Sequence, residues 1–456
     1  MFTIDKIQSF IEVFSIRILE TLVGIVFFGD SKMEMLYVLL NRLVNMTSSM
    51  VAMLIAINVV ANVANRIAAI TVGAVPAPTP APTPTPTPTP SQASFIVFVG
   101  EEGKYYYVKN GITGSIVFVS TDARKAIQYA LDSLTPNRTW KEKIIAIGSF
   151  MIDNSTSPLM IGSYTIFELY GRIVALDKRK TLVYINGTDI ELRGGVYDGN
   201  RGTEVTTTDE PVRVIQIEDS EDVIVENVKV VNGYSRGIEI DNGYHVSLIN
   251  IYAVNSWRNV MVWSTSYMTV RNHELRNIHS KYAQGGSGID LGTVGYVVID
   301  GLYSEEDNPV ALAIDSCKSI IARNIISKFR GIALVFAGYN HAENIVIENA
   351  ISAGSGAGAI LAEINNNFNI NDIVLKTIKV LSPVDSAIVM RRIAGSGVID
   401  NVRIYDIYTD GIPEGKYSID VDDSVQFLEM IGGRVDRPFN INAIAWRIRD
   451  VRGYDT

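Results

Sequence analysis

Five side chains in the second half of the chain have the types and spacing for chemistry on an extended ligand: Glu239, Asp241, Trp263, Asp290 and Asp315. They fall in short segments that alternate apolar and polar residues: "RGIEID" (236–241), "RNVMVW" (258–263), "SGIDLG" (287–292) and "VALAID" (310–315). Stacked in register, these segments form two outward columns. One reads Gln216, Glu239, Met261, Asp290, Ala313, Ala333 and the other Glu218, Asp241, Trp263, Gly292, Asp315, Val335. Glu239 and Asp290 then lie two layers apart, about 9–10 Å at the usual strand spacing, near the separation of an acid and a base that admit a water between them. An outward Trp263 offers a flat apolar ring. Arg236, Arg258 and Arg330 sit close by. They can neutralise the carboxylates, which makes the column a solvated structural face, or grip an acidic ligand. Asp241 and Asp290 belong to no compact metal-binding loop, so we expect no metal and no cofactor.

What positions these residues is a repeat. Apolar pairs spaced by one residue recur from Ile215/Ile217 through Ile238/Ile240, Val260/Val262, Ile289/Leu291, Leu312/Ile314, Ile332/Leu334, Ala359/Leu361, Ile388/Met390 and Ile419/Val421. After each comes a second segment with an asparagine near its end: Asn227, Asn250, Asn272, Asn324, Asn349 and Asn401, with Gly301 and Thr377 filling the two skipped turns. Inward alternate residues plus a stacked asparagine, every two dozen or so positions, specify an all-β, right-handed parallel β-helix. Asparagine suits the bend because it tolerates a left-handed backbone and can pass hydrogen bonds up the stack. "STDARKAIQYALDSL" (120–134) reads as a helix closing the first coil, with Ser120 or Thr121 as cap. Residues 95–119 read as three short strands, and 424–450 as the far cap with Trp446 buried.

Residues 95–450 resemble the pectin-lyase-like superfamily, in particular polygalacturonase-type glycoside hydrolases and viral tailspikes. The resemblance rests on the capping helix followed by "KIIAIGSFMI", on "GGVYDGN" (194–200) and on the coils after it. It implies a β-helix acting on or binding polysaccharide. The catalytic signature of polygalacturonases is not intact. "GIEIDNG" (237–243) stands where Asn-Thr-Asp is expected, "AIDSC" (313–317) has one aspartate instead of two, and no Gly-His-Gly occurs.

The first 92 residues are built differently. Residues 43–65 carry no charge over 23 positions, enough to cross a bilayer. Asn41, Asn45, Ser48, Asn58, Asn62 and Asn65 mark a polar stripe that suits a helix associating with others. Residues 1–73 thus read as a helical hydrophobic anchor or assembly stem, seated in a membrane or a particle and forming a homo-oligomer. Proline at every second position from Pro76 to Pro90 gives an extended stalk (74–92) of about 45–50 Å.

The formal net charge of −9 leaves no basic face for nucleic acid. Lone Cys317 excludes an intramolecular disulfide framework and reads as a buried small hydrophobe. Glutamine is scarce at six residues and isoleucine abundant, a composition that leans towards a heat-adapted source. Sequons at Asn137, Asn154 and Asn186 suit a glycosylated extracellular domain. Together these point to a surface-displayed protein, on a cell or a virion, for recognition or adhesion with carbohydrate as partner. The competing readings are an anchored polysaccharide hydrolase or lyase, and a structural subunit of a filament or capsid.

Overall fold

A computed structural model describes residues 92–202, 212–264, 270–307, 310–328, 332–336, 342–354, 359–365 and 367–453. The anchor and stalk readings for 1–91, and Arg330, lie outside the described residues. Among those described, no helix is long and apolar enough to cross a membrane.

The chain winds into a parallel β-helix. One wall is a twelve-stranded sheet of short strands, from Leu159–Ile161 to Phe439–Ile441, each paired in parallel with the equivalent strand one coil away. The other wall is an eighteen-stranded sheet, half of whose strands are 11–12 residues long, such as Tyr244–Val254, Gly295–Glu305 and Ile370–Leu381. Ile215, Ile238, Val260, Ile289 and Leu312 stack in one column with no exposure; Ile217, Ile240, Val262, Leu291 and Ile314 form a second. Burying five large aliphatics per column against the coils on either side is the main stabilisation of such a fold. The inward pair of one coil is Ile360 and Ala362, not Ala359 and Leu361. Alanine at 362 lets the strand's phase be misread by one residue.

The long strands fold sharply at a residue in left-handed backbone. That slot holds Asn227, Asn250, Asn277, Gly301, Asn324, Asn349, Thr377 and Asp406 in successive coils. Asn250 donates to Asn227 Oδ1 at 3.0 Å and Asn277 to Asn250 Oδ1 at 2.9 Å. Asn272 and Asn401 belong instead to a second left-handed corner five residues earlier, in the column Asp222, His245, Asn272, Tyr296, Ser319, Asn344, Asp372, Asn401. Both corners need the same backbone, so both select asparagine, and spacing alone confuses them.

At the amino-terminal end, strands Phe95–Val99, Tyr106–Asn110 and Ile116–Ser120 precede helix α1, Ala123–Asp132. Ala123, Ala126, Ile127, Ala130 and Leu131 cover the first coil. Asp122 is the cap, accepting from Lys125 N at 3.1 Å, while Ser120 supports it by accepting from Asp122 N. In "GGVYDGN", Gly194 and Gly195 take positive φ, and Asp198 accepts from Asn200 N and from Asn232 Nδ2. At the far end Trp446 aligns with the buried Leu428 and so occupies an inward column, yet it is 51% exposed. Among the described residues no coil follows to cover it, which corrects the expectation of burial.

Candidate functional site

Strand register places both expected columns on the outer face of the twelve-stranded sheet: Gln216–Glu239–Met261–Asp290–Ala313 and Glu218–Asp241–Trp263–Gly292–Asp315. A third column, Arg213–Arg236–Arg258, stacks at the strand starts. That column determines what the first can do. Glu239 is almost fully buried and held between Arg213 Nε and Arg236 Nη1, the latter at 2.6 Å. Arg258 Nε reaches Asp290 Oδ2 at 2.6 Å. Two guanidiniums hold Glu239 as an ion-paired carboxylate, and a third holds Asp290. The buried Met261 fills the coil between them. The two carboxylates that the spacing brings within reach of each other thus each stand in an ion pair with the arginines at the strand starts.

The second column is different. Glu218, Asp241, Trp263 and Asp315 are all partly exposed. The Trp263 six-membered ring lies on the backbone of Gly292 in the next coil, so close that a Cβ there would stand 2.7 Å from Cε3. Gly292 therefore seats the ring, and any side chain in its place would lift it. Burial, together with the charges of Glu239 and Glu218, pushes the Asp241 carboxyl above the usual range. Its Oδ1 is buried without a hydrogen-bond partner. Glu218 accepts from Gln216 Nε2 at 2.9 Å, and Asp315 Oδ1 accepts from Ser316 Oγ at 2.9 Å. Tyr184, one coil before Gln216, has its phenol pushed up to about 12 by burial and a hydrogen bond to Glu218.

The arrangement is an acidic ledge with one seated aromatic ring. It can accept hydrogen bonds from a polyhydroxyl ligand, and Asp241 can donate one while protonated. The spacing in the sequence brings Glu239, Asp241, Trp263, Asp290 and Asp315 to this face and sets Glu218 and Gly292 in their column without a role; Tyr184 and Arg213 are additions from the structure. Extending the columns one coil upstream finds Tyr184, and the strand start before Gln216 holds Arg213. Among the described residues, no group of three or more His, Cys, Asp or Glu is placed to hold a metal ion.

Of the sequons, Asn137 and Asn186 are exposed. Asn154 is buried; its Nδ2 donates to Asp177 O and Lys180 O, and its Oδ1 accepts from Asp177 N. No amide is left there for a sugar, so that expectation is corrected.

No protein-family model matches the chain, and no curated protein matches it. Similar solved structures include the pre-mature gene product 12 of bacteriophage phi29, at a TM-score of 0.50 and 15% identity over 74% of this chain and 54% of that one. The chain thus spans about half the length of the phi29 protein. Another is the catalytic domain of a GH87 α-1,3-glucanase in complex with nigerose, at 0.52 and 14% over 82% and 71%. PfbA, a surface adhesin of Streptococcus pneumoniae, aligns at 0.48 and 13% over 73% and 88%. What the first two likenesses establish is the fold: residues 95–449 form a right-handed parallel β-helix.

Proposed function

We propose that the protein is a surface-displayed recognition module whose β-helix binds carbohydrate along the Glu218–Asp241–Trp263–Gly292–Asp315 column. The observation that carries this reading is Trp263 seated on Gly292 with partly exposed carboxylates on both sides. A sugar presents an apolar C–H face to the ring and hydroxyls to the flanking acids. The similar α-1,3-glucanase catalytic domain was solved in complex with nigerose, which supports carbohydrate as the ligand class. Residues 1–73 anchor the module in a membrane or a virion and associate with other copies, and 74–92 hold it off that surface. Asn137 and Asn186 are the glycosylation sites.

Glycan-array binding by the full-length protein tests this. Wild type is expected to bind, Trp263→Ala to lose binding, and Arg258→Lys to retain it. A Trp263→Ala variant that binds as well as wild type overturns the reading.

One observation favours a second reading, glycoside hydrolysis. Asp241 is a carboxyl biased towards its protonated form, the property of a general acid. Release of reducing sugar that is abolished by Asp241→Asn would establish it; binding without turnover leaves the recognition module.

A further inference from the structure

The long-stranded wall carries, before its asparagine bend, a surface that reads the same from either end. Over six consecutive coils one outward column runs Glu274, Val298, Ile321, Val346, Val374, Arg403. Two residues along each strand, a second runs Arg276, Asp300, Arg323, Glu348, Lys376, Tyr405. The corner column on the other side runs Asn272, Tyr296, Ser319, Asn344, Asp372, Asn401. Ile321 is 41% exposed, and a trough of about 480 Å³ lies between it and the corner residues Asn272, Tyr296, Ser319 and Asn344.

We propose that this face docks on the same face of a second copy, with the two β-helix axes antiparallel and the two-fold axis between the coils of Ile321 and Val346. Such a dyad preserves lateral position and reverses axial order, so coils one to six meet coils six to one. In the central column Glu274 meets the other copy's Arg403, Val298 meets Val374, and Ile321 meets Val346. In the charged column Arg323 meets Glu348, Asp300 meets Lys376, and Arg276 meets the Tyr405 ring. In the corner column Tyr296 meets Asp372, Asn272 meets Asn401, and Ser319 meets Asn344. Every cationic group thus faces a carboxylate or a π-face, Asp372 faces the Tyr296 hydroxyl, and the aliphatic groups face one another, in both halves at once, as an isologous contact requires. With the copies shifted by one coil, like charges meet: Arg276 with Lys376, Asp300 with Glu348 and Arg323 with its own mate in one direction, Arg323 with Lys376 and Glu348 with its own mate in the other.

The charges stay available for this. Within the chain Arg276 bonds Glu274, Arg323 bonds Asp300 at 2.9 Å and Lys376 bonds Glu348 at 2.6 Å. The two arginines and the lysine remain about half exposed, and each carboxylate keeps further lone pairs. Arg403 is exposed.

Three columns and six coils span about 20 by 25 Å, roughly 500 Å² on each copy, at the low end of specific interfaces. The pairing is therefore weak and reversible at the level of one contact. It sets the residue-92 ends of the two β-helices at opposite poles, the geometry for joining proteins displayed from facing surfaces. It is independent of the carbohydrate reading and uses a different wall of the β-helix.

The test uses full-length protein and two single substitutions, Glu274→Cys and Arg403→Cys; the native Cys317 is buried and does not interfere. These positions are five coils, about 24 Å, apart within a chain, yet face each other across the dyad. Mild oxidation of an equal mixture is expected to yield a disulfide-linked dimer joining one variant to the other, with neither variant linking to itself. Separately, Arg403→Glu is expected to weaken β-helix self-association at least tenfold, and Glu274→Arg added to it to restore it. Self-linking of either variant alone, absence of the mixed dimer, or failure of the second substitution to rescue the first overturns the proposal.

Discussion

Acid should loosen this β-helix at one identifiable residue. His273 sits inside, in the column Val223–Val246–His273–Val297–Ile320, where every other member is aliphatic. It is 1% exposed. It stands there because an extra residue bulges the strand between Val270 and His273. Its Nδ1 accepts the Val246 N–H at 3.2 Å. Burial, reinforced by the positive charges of Arg271 and His245, holds its pKa down to about 3 from an ordinary 6.5.

The folded state therefore refuses a proton that the unfolded chain takes up. Stability from this group is intact above pH 6.5, falls as pH drops below that value, and is fully lost near pH 3. At about 1.4 kcal/mol per unit, the loss reaches about 3 kcal/mol by pH 4.5. His273→Val restores the aliphatic column but orphans the Val246 N–H, a cost of about 1–3 kcal/mol at pH 7 before the apolar gain. Denaturant unfolding of full-length wild type and His273→Val at pH 7.0 and 4.5 separates these effects. The variant should start less stable and lose about 2–3 kcal/mol less than wild type on acidification, because every other titrating group cancels in the double difference. Equal losses in the two proteins refute the argument.

Other substitutions have equally definite expectations. Glu239→Gln leaves Arg213 and Arg236 without their buried anion and should destabilise by about 3–5 kcal/mol, read as a lowered denaturation midpoint, rather than abolish ligand binding in a protein that stays folded. Asp241→Asn should stabilise at pH 7 and have no effect near pH 3. The raised pKa means the folded state disfavours the carboxylate, so stability falls as pH climbs through the titration of Asp241; unfolding midpoints across that range check it. Gly292→Ala should displace the Trp263 ring, seen as a shift in tryptophan fluorescence and a loss of glycan binding, with the β-sheet circular dichroism unchanged. Asn250→Gly keeps the left-handed backbone and loses the ladder bonds, costing about 1–2 kcal/mol, whereas Asn250→Val adds the left-handed strain of roughly 1–2 kcal/mol more. Thermal melts should rank the three proteins in that order.

The repeat was legible because burial enforces it. A coil that breaks the inward alternation of Ile238/Ile240 or Ile289/Leu291 leaves a gap between its neighbours, so the pattern survives as a periodic signal. The left-handed corners were half legible: asparagine marks them, but two corners per coil use it, and only strand register separates Asn277 from Asn272. Column membership of the site residues followed from the same register. Their chemistry did not, because it depends on which arginine each acid meets. Arg213, 26 positions before Glu239, turns a candidate acid into an ion pair, and nothing local to Glu239 signals it. Trp446 was misjudged for a related reason, since an inward position is buried only when another coil covers it.

Whether Trp263 and its neighbouring carboxylates receive a sugar is best decided by a density map of the full-length protein with a glycan selected on the array. The expected result is a sugar ring stacked on Trp263, with hydroxyls within hydrogen-bonding distance of Asp241 or Asp315. Density for the glycan on another wall of the β-helix, with the Trp263 ring unoccupied, would contradict it.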